Sequence, residues 1–128
     1  MAIQVQWADE AHTIIKWDFP KEIVWDDYTV ANAEAAELAA SVSHEVFTLF
    51  DMSNLQNLPA NVVVRFPSVA RSTPPNVKMS VMVGAALYVE NLGRVFSRIY
   101  GKIQFARTVE AAFEVIDSHR SSAPPDAP

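Results

Sequence analysis

Ile3-Gln4-Val5-Gln6-Trp7 alternates apolar and polar residues, and part of His12 to Phe19 does the same. Alternation with a period of two places one set of side chains against a core and the other toward water, which is the signature of a half-buried strand. The polar stretch Ala8 to Ala11 between the two segments suits a turn, so the chain is expected to open with an antiparallel pair that ends at Pro20-Lys21-Glu22. The period then changes. From Trp25 to Val42, Tyr28, Ala31, Ala35, Leu38, Ala39 and Val42 recur every three or four residues, with Glu34 and Glu37 on the other side, which predicts an amphipathic helix. Asp26 and Asp27 fall in its first turn, where carboxylates meet unpaired N–H groups and the positive end of the helix dipole.

Val46 to Phe50 is a short, mostly apolar run of the kind buried on both faces of a parallel sheet. It runs straight into the turn Asp51-Met52-Ser53. Pro59 suits a first helical turn by its fixed φ, and Asn61 to Val69 predicts a second helix interrupted at Pro67. Ser72 to Asn76 is a breaker cluster, Val77 to Val83 predicts a strand closed by Gly84, and Ala85 to Tyr100 predicts a helix ended by Gly101. Lys102 to Ala106 predicts a short strand, and Thr108 can cap a last helix with Val109, Ala112, Phe113 and Ile116 inward. The order is β-β-α-β-α-β-α-β-α. It predicts a single-domain α/β fold with a mostly parallel five-stranded sheet, four helices and an antiparallel first strand, over residues 1–117. Residues 118–128 are polar and proline-rich and are expected to be a disordered tail.

Composition narrows the function. The chain has 128 residues, half of them apolar, which is enough for one core. It has no cysteine, so disulfides, thiolate metal sites and a cysteine nucleophile are excluded. Neither a signal-type opening nor a run of about 18 apolar residues occurs, and a cytoplasmic protein without a membrane span is expected. The net charge of −5 argues against general nucleic-acid binding. Residues 1–64 carry −8 and residues 65–128 carry +3, an asymmetry that could give complementary faces between subunits or toward a partner, although ordinary solvated faces are the simpler account. Arg65, Arg71, Arg94 and Arg98 form the basic set that such a partner would meet.

In folds of this kind, ligands gather beyond the carboxyl ends of the strands. Those ends are Asp51-Met52-Ser53, Gly84-Ala85 and Ala106-Arg107-Thr108, and a helix beginning after Gly84 with Arg107 beside it would suit a small anion. No phosphate-loop or dinucleotide fingerprint occurs, no GxSxG elbow surrounds a serine, and His12, His44 and His119 are too scattered to suggest a metal site. No cofactor is expected. Trp7, Trp17 and Trp25 lie early in the chain and either cradle a ligand or, more simply, pack the first strands and helix onto the core.

The element order, together with KEIVWDDY (21–28), FDMS (50–53) and RVFSRIYGKIQFARTVEAAFEVI (94–116), resembles the STAS domain of bacterial anti-sigma-factor antagonists over about residues 3–117. That fold is similar to the lipid-binding CRAL-TRIO domain. In phospho-switched members of the family, an Asp-hydrophobic-Ser turn ends the third strand and an Asp-Ser-Ser-Gly motif follows, one of whose serines takes the phosphate. Asp51-Met52-Ser53 matches the first element, whereas Pro59-Ala60-Asn61-Val62 stands where the second would be. The resemblance therefore implies a non-enzymatic module that binds a protein partner or its own copy, as a homodimer, without the phosphoacceptor serine. Asp51, Ser53, Pro59, Asn61, Gly84 and Arg107 are the expected contact residues. A small apolar or anionic ligand is the alternative guest.

Overall fold

The computed structural model describes residues 2–57, 59–61, 64–65, 68, 73–84, 91, 94 and 103–121. Five strands form one sheet: β1 (Gln4–Trp7), β2 (Ile14–Asp18), β3 (Val46–Asp51), β4 (Val77–Val83) and β5 (Ile103–Ala106). They lie in the order β1-β2-β3-β4-β5, with β1 antiparallel to β2 and every other pair parallel. The mixed sheet expected from the period-two segments is therefore present. Two helices are described rather than the four expected: α1 (Trp25–Ala40) and α2 (Val109–Ser121). The helices predicted over 61–69 and 85–100 lie mostly outside the described residues. At Val64, Arg65, Ser68, Asn91 and Arg94, within those spans, the backbone is helical. α2 runs four residues past the expected boundary at 117, and residues 122–128 lie outside the described residues.

Strand pleating separates the core into two layers. Odd-numbered β2 residues Ile15 and Trp17 join Ile3, Phe19 and Val46 under Ala31, Ala35 and Ala39 of α1. The alanines carry no bulk beyond Cβ, so the helix can approach the sheet closely. On the opposite face, Ile14, Phe47, Leu49, Met79, Val81 and Val83 pack against Ala112 and Ile116 of α2. Val46 to Leu49 are all buried, because β3 is covered on both faces. Leu49 is completely buried, and truncating such a residue to alanine typically costs about 2–5 kcal/mol.

Polar side chains fix the ends of the elements. Val24 precedes α1 and has no side-chain oxygen to cap it. Instead the Asp27 carboxylate accepts the Val24 N–H at 2.9 Å, and this bond holds the carboxyl below its ordinary value. α1 stops at Ala40 rather than Val42: the next residue, Ser41, folds its hydroxyl back onto the Leu38 carbonyl at 2.6 Å. Asn76 then ties three segments together. Its amide donates to the Ala39 and His44 carbonyls at 2.9 and 3.2 Å, and its own carbonyl accepts the Val46 N–H at 2.9 Å. At the start of α2, the Thr108 hydroxyl accepts the Ala111 N–H at 3.1 Å, the expected cap.

The β1–β2 turn is held by one carboxylate. Asp9 accepts the Thr13 and Ile14 N–H groups at 2.9 and 3.1 Å and also takes the Thr13 hydroxyl. His12, with φ of 56°, stacks its ring on Trp7 at 4.6 Å between centroids, and its carbonyl meets His44 Nε2 at 2.9 Å. Burial works to raise the Asp9 pKa, but the Thr13 and Ile14 hydrogen bonds outweigh it and hold the carboxyl below 3.8. A depressed folded-state value means that this stabilisation is complete at neutral pH and disappears as the pH falls through that value. Asp9→Asn is expected to lose about 1–2 kcal/mol at pH 7. The gap from the parent should narrow below the ordinary carboxylate range, as read by calorimetry across pH.

Candidate functional site

The carboxyl ends of the parallel strands meet at one edge of the sheet through backbone bonds. The Met52 N–H donates to the Val83 carbonyl at 2.9 Å, and the Gly84 N–H donates to the Ala106 carbonyl at 3.0 Å. These bonds bring Asp51, Ser53 and Gly84 together, with Arg107 following directly after Ala106 and exposed. Asp51 turns one carboxylate oxygen onto the Ser53 N–H at 3.1 Å and the Ser53 hydroxyl at 2.6 Å. That geometry is an Asx turn with the serine added, and it occupies the hydroxyl proton in bracing the loop.

Gly84 is required here. Its φ of 66° lies in the left-handed region, and a Cβ at this position would stand 2.8 Å from Ser53 Oγ and 3.0 Å from Ser53 Cα. The close approach lets the β3 turn and the end of β4 share one surface. The helix expected to offer free N–H groups there starts at Ala85, outside the described residues.

Pro59 and Asn61 belong to a different place. Pro59 lines an open cleft of about 370 Å³ with Glu22, Ile23, Val24, Trp25, Asn57 and Ala60. Asn61, with φ of 60°, accepts the Arg65 N–H at 3.0 Å. The cleft forms because the chain after β3 folds back across the start of α1. The Gln56 and Asn57 N–H groups both donate to the Lys21 carbonyl, at 2.8 and 3.3 Å, and the Asn57 amide reaches Glu22 Oε1 at 3.2 Å. The Trp25 indole N–H donates to the Ala60 carbonyl, and the Arg65 guanidinium lies over its ring at 5.1 Å. Val24 and Val64 are 60% and 78% exposed in the same region. Of the six expected contact residues, Asp51, Ser53, Gly84 and Arg107 lie at the strand ends, Pro59 lines the cleft, and Asn61 follows the cleft residue Ala60 without lining it.

Sequence reasoning missed Glu22, Val24 and Asn57 as cleft residues. The available signal was Val24 next to Trp25, two bulky apolar residues at a helix start where the apolar stripe does not need both. Of the three tryptophans, Trp17 is in the core, packed within 4.9–6.1 Å of the rings of Phe50, Tyr28 and Phe19, while Trp7 covers the turn and Trp25 borders the cleft. Among the described residues no cluster of three or more His, Asp or Glu could hold a metal ion. No described helix is long and apolar enough to cross a membrane. Arg94, from the basic set, lies over the Phe105 ring at 4.7 Å, and Arg71 and Arg98 lie outside the described residues.

Gly84→Ala is expected to lower stability by about 1–3 kcal/mol, since it combines backbone strain with the Ser53 contact. Adding Ser53→Gly should recover the part of the contact made with Oγ and Cβ, but neither the 3.0 Å approach to the Cα nor the backbone strain, as measured by denaturant titration of both variants.

No protein-family model matches the chain, and no curated protein does. A solved structure of an anti-sigma-factor antagonist (STAS) domain protein from Planctomyces limnophilus is similar to it, with a TM-score of 0.60 at 8% sequence identity, covering 91% of this chain and 99% of that one. The resemblance carried by the FDMS turn and the element order thus has its counterpart in three dimensions: the chain has a STAS-like fold.

Proposed function

We propose that this chain is a non-enzymatic, regulatory protein-interaction module that has the surface of a STAS domain without its phosphoacceptor serine. The observation that carries this reading is the state of the hydroxyls at the strand-end surface. The Ser53 hydroxyl donates to the Asp51 carboxylate and the Thr108 hydroxyl accepts the Ala111 N–H at the start of α2, so both are engaged in local bonds. The segment that stands where the switch serine would be, Pro59-Ala60-Asn61, has no hydroxyl. A surface that retains the turn but lacks the acceptor suits constitutive recognition of a protein, with the Trp25 cleft and the Ser53–Gly84 surface as contacts. Trp and Arg are favoured anchors at protein interfaces, and the Trp25–Arg65 stack supplies both.

The cleft supports a second reading, a small apolar or anionic ligand. Its volume is at the lower end of the usual range for ligand sites, and it is open to solvent. Between the sheet and α1 the aromatic rings are packed at contact distance, so a lipid-like guest would need the cleft rather than that layer.

The test is capture from the native cells with tagged protein, followed by mass spectrometry of both bait and prey. A stoichiometric protein partner is expected, lost in Trp25→Ala but retained in Asp9→Asn, with Ser53 unmodified. Phosphate on Ser53 overturns the claim that the switch is absent. A small molecule released from the denatured bait, with no protein partner, favours the ligand reading.

A further inference from the structure

The ladder between β1 and β2 fixes which backbone groups of the edge strand are used. In an antiparallel pair, alternate residues turn their N–H and C=O toward the partner, and the residues between turn theirs away. The Ala8 N–H donates to the Ile14 carbonyl at 2.8 Å. On the other side of β2, the Thr13 carbonyl accepts the Phe47 N–H at 2.8 Å and the Phe19 N–H donates to the Asp51 carbonyl at 3.0 Å. Odd-numbered β2 residues therefore serve β3 and even-numbered ones serve β1. It follows that Gln4 and Gln6 bond β2, in register with Asp18 and Lys16, while Ile3, Val5 and Trp7 turn their backbone groups outward. Among the described residues those groups meet no partner.

Exposed edges are ordinarily guarded by a charge, a proline or a bulge. Ala2 to Ala8 contains no charged residue and no proline, and the β1–β2 register is continuous. The nearest charges are already used: Lys16 and Asp18, the cross-strand neighbours of Gln6 and Gln4, pair with each other at 3.2 Å, and Asp9 holds the turn. The opposite edge differs, because β5 is flanked in sequence by Lys102 and Arg107.

We propose that the β1 edge pairs with the β1 edge of a second copy of this chain, antiparallel about a two-fold axis at Val5. In that register Val5 faces the second copy's Val5, and Ile3 faces its Trp7, so all three outward residues exchange N–H and C=O bonds. Gln4 then lies beside the second copy's Gln6, and the apolar face under α1 continues across the axis. The contact is self-complementary and closes as a dimer, whereas β1 against β5 would repeat head to tail and leave edges open. α1 lies over β1 and β2 beside this edge, and Leu38 packs into the layer beneath it, so the helix supports the strand without covering its outward backbone groups.

Sedimentation between about 1 µM and about 500 µM, the range in which a short edge contact should titrate, reads the mass. The expected course runs from the 14.2 kDa of the chain to twice that. Amide exchange on the same samples should slow at Val5 and Trp7 by at least about tenfold in the dimer, with Gln4 and Gln6 protected in both states. The double variant Gln4→Lys with Gln6→Lys places like charges across the axis on exposed side chains and should weaken dimerisation by about tenfold or more; because the new charge at position 6 also stands opposite Lys16, the loss is read at temperatures where the variant monomer is still fully folded. Val5→Pro removes an outward N–H without touching the β2 ladder and should also weaken dimerisation, with some loss of monomer stability because Val5 packs on the core. A wild-type chain that stays monomeric throughout overturns the proposal. So does a dimer that survives both variants or leaves the Val5 and Trp7 amides fast.

Discussion

The central constraint is the burial of β3 on both faces. Val46, Phe47, Thr48 and Leu49 have no solvent side, so both layers of the protein are organised around one strand. Its neighbours are fixed in parallel register with it, from Ile14 opposite Phe47 on one side to Val83 opposite Asp51 on the other. Parallel register brings the carboxyl ends of β2, β3 and β4 to the same edge, and there the apolar run gives way to Asp51. The candidate surface is thus positioned by the core: a shift of β3 by one residue would exchange the faces of every side chain from Val46 to Asp51.

From that strand outward, local polar bonds convert a layered core into a defined surface. Asp51 bends the chain back through Ser53, the absence of a Cβ at Gly84 lets the next strand end lie against that turn, and the Lys21 carbonyl receives the returning segment at Gln56 and Asn57. Asp51 also accepts the Ser53 N–H, and the Lys21 bonds run between backbone groups. The side chains left over, Trp25 with Arg65 above it and the exposed Val24 and Val64, are large and apolar or delocalised, the types that gain most from being covered by another protein.

The strands were legible because their patterns are strong. Val77 to Val83 was read to the residue, and the turn from period two to period 3.6 at Trp25 located α1. The end of α1 was not legible at Val42, since the apolar stripe continues there while the Ser41 hydroxyl closes the helix onto Leu38. The site was half legible. Asp51 and Ser53 announce their own turn by residue type, and Gly84 by following a strand. Pairing of Pro59 with Glu22 and Trp25 depends on a fold-back of more than thirty positions, and no local pattern carries that information.

The arrangement of the two layers also sets an order for assembly. The fully buried residues of the layer under α1 all come from segments up to Val46, with Phe50, Met52, Leu55 and Val77 packed at its margin. Among the described residues the other layer is covered by Ala112 and Ile116, so Ile14, Phe47, Leu49, Met79 and Val81 wait for α2 to gain this part of their cover. A nascent chain that pauses before α2 therefore lacks it, and this is the stage at which a holding chaperone would be most useful.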